Sequence, residues 1–124
     1  MTTDLTPTAM SAYRRTARAR AQARQERVAA RRAAAWEVAR RAAAVLKEEF
    51  GASRVALFGS LARPEHFHLS SDVDLAVWGL DERLYFRAVA RLLDLNPAIE
   101  VDLVEVEQAR PALQAVIQRE GVLL

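Results

Sequence analysis

Two aspartates one residue apart, Asp72 and Asp74, stand in an otherwise apolar stretch with the sequence DVDLAVW. Alternate residues of a β-strand point to the same face, so the two carboxylates would lie side by side, roughly 7 Å apart. An ionised carboxylate is costly to bury unless it reaches water or is neutralised. The pair therefore has two interpretations: the water-facing side of a strand, or oxygen ligands for divalent cations such as Mg²⁺ or Mn²⁺.

A third carboxylate follows in the segment IEVDLVEV. There Asp102 lies between Val101 and Leu103, so alternation points it away from the buried residues. If the two segments form neighbouring strands, all three aspartates share one face and form the ligand set of a two-metal phosphoryl-transfer site. Glu100, on the same side, and Glu105, further along, are alternatives for the third acid.

The Gly59-Ser60 pair could bind the complementary anion. It ends the apolar segment RVALFG and is expected to begin a short helix that continues to Arg63. Glycine allows a phosphate to approach the backbone, and the first N–H groups of a helix and the Ser60 hydroxyl are free to donate. Arg63 could add a positive charge, although it could equally be an exposed loop arginine.

These motifs together resemble the minimal nucleotidyltransferases of the DNA polymerase β-like superfamily. The signature of that family is a Gly-Ser pair, an Asp-x-Asp on a strand and a third Asp on a later strand, and the resemblance covers about residues 36–120. It implies that Asp72 and Asp74 bind the metal ions, while Asp102 completes the metal site and assists deprotonation of an acceptor hydroxyl. It also implies a set of residues that hold the phosphates of a nucleoside triphosphate: Gly59, Ser60 and Arg63.

The resemblance also implies an activity and a partner. Such an enzyme moves a nucleoside monophosphate, here most simply AMP from ATP with Mg²⁺ or Mn²⁺, onto a hydroxyl. Small members of the family are commonly paired with a helical HEPN-domain toxin, and adding AMP to a tyrosine of that toxin silences it, so this chain would be the antitoxin. Two alternatives are an inactive subunit that neutralises a partner by docking, and a nucleic-acid-binding protein.

The loop between the two motifs departs from the family pattern. The spacer between Ser60 and Asp72 is one residue longer than usual, and Pro64 stands where the family has a glycine. A longer loop costs little if it bulges outward, so we expect an altered loop with the acids still in place, and reduced activity is the alternative. His66 and His68, which alternate in this loop, are expected to be exposed residues rather than ligands.

An Ala- and Arg-rich segment precedes the motifs, and the absence of Gly and Pro predicts one helix over residues 12–50. Apolar residues from Trp36 to Phe50 recur every three or four positions, which predicts that the C-terminal half of the helix packs on a core. This stripe fades before Val28, so the front half should project or rest on something outside the chain. Residues 1–11 are expected to form a disordered tail.

The remaining segments predict an α/β (α+β) domain over residues 36–124. Alternation and apolar runs indicate strands at 54–59, 72–78 and 99–106, and helical spacing indicates helices at 81–95 and 108–120. The order is that of one sheet with helices on its faces.

Charge is divided unevenly along the chain. Residues 14–41 hold ten arginines against two glutamates, a net charge of +8, whereas residues 42–124 hold eight basic and thirteen acidic residues, a net charge of −5. The absence of cysteine excludes disulfides and thiolate sites. No apolar run is long enough for a membrane span, and the first residues lack the pattern of a secretory signal, so a cytoplasmic protein is expected.

Overall fold

Four strands form one mixed sheet in a computed structural model that describes residues 6–124. The strands are β1 (Arg54–Phe58), β2 (Val73–Trp78), β3 (Val101–Glu105) and β4 (Val122–Leu123), and they lie in the order β3-β2-β1-β4. β1 pairs antiparallel with β2 and β4, and β2 pairs parallel with β3. The helices are α1 (Pro7–Glu48), α2 (Tyr85–Leu93) and α3 (Pro111–Glu120). The predicted α+β fold is confirmed.

The first helix, α1, begins earlier than predicted. Thr6 caps it, because its hydroxyl accepts a hydrogen bond of 3.1 Å from the Ala9 N–H, and Pro7 occupies the first helical position, where a missing N–H costs nothing. The prediction of a disordered tail is therefore wrong for residues 7–11, while residues 1–5 lie outside the described part of the chain. The helix ends at Glu48, and Gly51 follows with a positive φ of 73°.

The C-terminal half of α1 covers one face of the sheet. Val38, Ala42 and Leu46 are buried against a face to which Val73 and Leu75 contribute. Trp36 and Phe50 are partly buried at the margin of this core, which confirms the predicted apolar stripe. Val28 is the first residue of α1 that packs on this core, and the residues before it are almost all exposed. The front half of α1 therefore projects from the sheet, as predicted.

A second, smaller core covers part of the opposite face. Ile117 of α3 packs there with Ala56, Phe58, Ala76 and Val106. Since Asp74 alternates with Ala76 on β2, the aspartates do not lie on a fully hydrated face, because α3 shields one end of it.

The structure also differs from the predicted elements at several ends. Single 3₁₀ turns precede α2 and α3, at Glu82–Leu84 and Val106–Gln108, where longer α-helices were expected. The strand β4 was not predicted; its register joins Ala56 to Leu123, and Lys47 Nζ donates to the Leu124 carbonyl over 2.9 Å. Within residues 6–124, no helix has the length and apolarity to cross a membrane.

Candidate functional site

The parallel pairing of β2 and β3 brings the aspartates together. Asp74 is directly opposite Asp102 in the register, so the two side chains occupy adjacent positions on one face. Asp72 lies one residue before β2, and its charge also acts on Asp74. The structure thus confirms that the two acid-bearing strands are neighbours, which the sequence left as a condition.

Asp74 is at the centre of this group, because the charges of both other aspartates act on it. Its pKa is raised from 3.8 to about 6, first because the half-buried carboxyl has lost water, and then because of the negative charges of Asp102 and Asp72. Asp102 itself is exposed on β3, an outer strand of the sheet. The site therefore combines two partly buried acids, Asp72 and Asp74, with one that is open to solvent.

These carboxylates have the right chemistry for a divalent cation but are not drawn together into a cage. Among residues 6–124, no three acidic or histidine side chains converge closely enough to enclose an ion. Hard oxygen donors around one partly desolvated carboxylate nevertheless suit Mg²⁺ or Mn²⁺, which neutralise such repulsion and keep other positions for water or phosphate. Asp72, Asp74 and Asp102 are the residues that could hold it.

Gly59 lies directly against this acid group. Its backbone has φ 77° and ψ −156°, a combination that is essentially restricted to glycine. An added Cβ would contact the Asp74 carboxylate, 3.1 Å from its Cγ. Two independent constraints therefore require glycine here, and they keep the backbone after β1 next to Asp74.

Ser60 and Arg63 stand at the two ends of the turn that follows. Ser60 begins the 3₁₀ turn Ser60–Ala62, which Leu61 anchors in the main core, and the Arg63 N–H donates to the Ser60 carbonyl over 3.1 Å. The expected short helix is thus a single turn. The Arg63 side chain contacts carboxylates, at 3.7 Å from Glu65 and 3.5 Å from Glu120. It is held beside these acids rather than extended toward the aspartates.

The loop that departs from the family pattern is folded outward. Pro64 begins a second 3₁₀ turn, Pro64–His66, and buried Phe67 fixes the loop to the core. His66 and His68 are exposed, as expected; His66 lies 3.0 Å from Arg63 Nη2, and His68 lies 2.9 Å from the Ser70 hydroxyl. The longer loop is therefore accommodated without displacing Asp74 from its pairing with Asp102.

Arg31 on α1 braces the site and was not predicted from the sequence. Its guanidinium donates to the Ser71 carbonyl over 3.1 Å and to the Ala98 carbonyl over 3.2 Å, and so joins the two loops that lead into β2 and β3. Between those strands, the Val73 N–H donates to the Glu100 carbonyl over 3.0 Å. The only sequence signal was an arginine seven residues before Val38, on the core-facing side of the helix.

Comparison with known proteins identifies relatives of the domain. The family described as "Polymerase beta, Nucleotidyltransferase" matches residues 41–124, a range that contains all six predicted site residues. No sequence among the curated proteins matches this chain.

Several solved structures are also similar to this chain. A chain from the crystal structure of a toxin–antitoxin with AMP-PNP is 25% identical over 64% of this chain and 65% of its own length, with a TM-score of 0.55. A chain from a complex of tri-AMPylated Shewanella oneidensis HEPN toxin with MNT antitoxin is 24% identical over 58% of this chain and 55% of its own length, with a TM-score of 0.44. A structure assigned to a minimal nucleotidyltransferase is 31% identical over 80% of this chain and 94% of its own length, with a TM-score of 0.49. This chain thus spans just under two thirds of the first of these relatives.

Proposed function

The chain belongs to the polymerase beta nucleotidyltransferase family, and from that premise we propose that it transfers AMP from ATP to a hydroxyl of a partner protein. The observation that carries this proposal is the placement of Asp74 opposite Asp102, with the backbone of Gly59 against the same carboxylate. In this proposal, the aspartates are the cation ligands and the neighbouring backbone of Gly59 and Ser60 binds the phosphates.

The three aspartates would hold one or two Mg²⁺ or Mn²⁺ ions. Asp74 supports this role, because its pKa is raised first by burial and then by the negative charges of Asp102 and Asp72, and a bound cation would offset both effects. When bound, such ions neutralise the carboxylates and the triphosphate and stabilise charge on the attacking and leaving oxygens.

The chain's own groups would then orient the donor and accept a proton. The acceptor oxygen attacks the α-phosphorus of ATP, the bond to the β-phosphate oxygen breaks, and pyrophosphate leaves. Asp102, exposed on the outer strand, accepts the acceptor's proton, while the Ser60 hydroxyl donates to the phosphates. Arg63 would have to exchange Glu65 and Glu120 for a phosphate, which is feasible because its side chain is half-exposed.

The partner that we propose is a HEPN-domain toxin modified on a tyrosine, which makes this chain its antitoxin. Two observations support this choice. The 25% identical relative was solved as a toxin–antitoxin with AMP-PNP. The exposure of Asp102 also suits a side chain presented by a protein better than a small molecule that needs an enclosed pocket. Because ATP is the donor, the proposal places the reaction in the cytoplasm.

Mass spectrometry of the chain co-expressed with its toxin tests the proposal. We expect one or more AMP additions on a toxin tyrosine, lost in Asp102→Asn. Glu105→Gln is the matched control, since it removes a carboxylate from the same strand three residues away and should leave the adduct. A wild-type complex that neutralises the toxin without any adduct would favour docking alone. An adduct that survives Asp102→Asn would show that another acid takes the proton.

A further inference from the structure

The projecting part of α1, residues 7–27, is a basic arm. It holds six arginines against one glutamate, a net charge of +5. Every position is exposed except Ala23, which is half-buried. Among residues 6–124, no ion pair involves any of the arm's arginines, which are Arg14, Arg15, Arg18, Arg20, Arg24 and Arg27.

The arm cannot be neutralised by its own domain. The helix α1 is continuous from Pro7 to Glu48, and no Gly or Pro interrupts residues 8–50. Residues 7–27 are about 32 Å long at 1.5 Å per residue. The last turn of the arm comes near the domain, where Arg24 and Arg27 line a pocket with His68, Leu69 and Ser70, a segment without an acidic side chain. Because no acidic side chain of the described domain pairs with the arm, its charge is available to an anionic partner.

The side chains of the arm favour a polyanion over a protein surface. A helix that packs on a protein needs large apolar or aromatic anchors, and the arm offers only Met10 and Tyr13. Its other apolar residues are alanines. Arginine, by contrast, binds phosphate through a planar fork of donors and dominates contacts to nucleic-acid backbones.

The arginines form two flanks of the helix, as their spacing shows. Arg14 and Arg18 lie on one flank together with Arg15, whereas Arg20, Arg24 and Arg27 lie on the other. The surface between the flanks that is turned away from the sheet carries the small residues Ala12, Thr16, Ala19 and Ala23, and Glu26 lies at the end of this surface nearest the domain. The opposite surface, with Ala17 and Ala21, continues the line of Val28 and faces the side of the sheet.

We propose that the arm binds duplex DNA, with its small-residue surface in the major groove and its two arginine flanks on the phosphates of the two strands. The groove is about 12 Å wide and admits an α-helix of about 10–12 Å. The arm is about 32 Å long, close to one turn of B-DNA at about 34 Å. The major groove of duplex RNA is too narrow for such a helix. This site is separate from the aspartates and does not depend on the proposed transfer.

Fluorescence anisotropy of the full chain with a labelled DNA duplex of about 24 base pairs tests the proposal. Contacts from five or six arginines predict that log K falls with log salt at a slope of about −4.5 to −5.5. Arg18→Ala with Arg24→Ala takes one arginine from each flank; we expect at least a tenfold loss of affinity and a slope shallower by about two. Arg83→Ala with Arg87→Ala makes the same charge change in the turn before α2 and in α2 itself. The DNA affinity of this variant should stay within twofold of the wild-type affinity.

A second pair of variants tests the orientation of the arm. Ala19→Glu with Ala23→Glu places carboxylates in the groove surface and should weaken binding at least fivefold more than Ala17→Glu with Ala21→Glu, which adds the same charge on the opposite surface. Equal losses would overturn the groove geometry. Tighter binding to an RNA duplex of the same sequence, or no binding at low salt, would overturn the assignment to DNA. Self-association that needs the arm, without DNA binding, would show a protein interface instead.

Discussion

Gly59 and Asp74 are in contact across the end of the β1–β2 pair, and this contact depends on the absence of a side chain at position 59. A Cβ there would stand 3.1 Å from the Asp74 Cγ and closer still to a carboxylate oxygen. The φ of 77° adds a backbone conformation that residues with side chains rarely adopt. The glycine of the Gly59-Ser60 pair thus also limits where the Asp74 carboxylate can lie.

Gly59→Ala should therefore damage both stability and the site. Left-handed strain costs about 1–2 kcal/mol, and displacement of Asp74 adds to it, so we expect a loss of about 2 kcal/mol or more in the free energy of unfolding. Binding of a fluorescent ATP analogue with Mg²⁺ should fall at least tenfold. Urea denaturation and a binding titration measure the two effects.

Gly51→Ala is the matched control for that experiment. Gly51 has nearly the same φ, 73°, but an added Cβ would meet nothing within 4 Å. The Gly51→Ala variant should lose about 1 kcal/mol in the free energy of unfolding, from backbone strain alone, and should bind the nucleotide normally. If the two variants lose nucleotide binding equally, the contact with Asp74 is not what requires glycine at position 59.

The raised pKa of Asp74 predicts how stability depends on pH in metal-free buffer. Folding disfavours the ionised form, so the contribution of this group to stability is greatest below pH 4 and is lost as the pH rises through about 6. The shift of about two pKa units corresponds to at most about 3 kcal/mol, and screening of the half-exposed group reduces this to about 1–2 kcal/mol.

Asp74→Asn, which cannot ionise, should accordingly stabilise the metal-free chain by about 1–2 kcal/mol at pH 8 and by much less near pH 4. Thermal or urea denaturation in the presence of a chelator measures this gain in stability. At pH 8, Mg²⁺ should reduce the difference in stability between Asp74→Asn and the wild type. Glu100→Gln, which removes an exposed carboxylate from the same edge, should show no such gain. Destabilisation by Asp74→Asn at pH 8 would contradict the prediction.

The sequence was sufficient for the elements whose patterns are local. Alternation located β2 and β3, and the spacing from Trp36 to Phe50 identified the face of α1 that packs on the sheet. The family signature implied that Asp74 and Asp102 belong to one site, and the structure then showed that they are paired across β2 and β3. The order and register of the strands could not be derived from the residues. Alternation within a strand shows which residues share a face, but it does not specify which strands are neighbours.

The missed features depend on contacts between distant segments. Only two residues form β4, and their strand conformation comes from pairing with β1, to which no local pattern points. The same holds for Arg31, whose partners lie 40 and 67 residues further along the chain. The early start of α1 was different, since Thr6 followed by Pro7 is a local capping signal that the expectation of a loose tail overlooked.

A pair of truncations should locate the boundary between the arm and the domain. None of the side chains of residues 6–27 packs on the core, so removal of residues 1–27 should change the melting temperature by no more than about 2 °C. Removal of residues 1–34 also deletes Val28 and Arg31 and should lower it by about 5 °C or more. Calorimetry measures both. Equal melting temperatures would show that Val28 and Arg31 contribute little.

Arg31→Ala isolates the bracing contact itself. Without the guanidinium, the Ser71 carbonyl loses its donor in a partly buried position and the Ala98 carbonyl loses one in an exposed position, and we expect a loss of about 1–2 kcal/mol in the free energy of unfolding. Arg31→Lys should be intermediate, because one ammonium group cannot reproduce the fixed fork of a guanidinium that bridges two carbonyls. Arg27→Ala, one turn earlier and exposed, is the control and should be neutral.

The same variants should also reveal whether the brace serves the site. The Val73 amide donates to the Glu100 carbonyl between the two braced loops, so its hydrogen exchange should accelerate in Arg31→Ala more than that of amides within β1. The affinity of Arg31→Ala for Mg²⁺-ATP should also fall several-fold, because Asp72 and Asp102 lie directly beyond these loops. If exchange rises uniformly through the sheet, Arg31 supports overall stability alone and does not hold the acid-bearing strands in place.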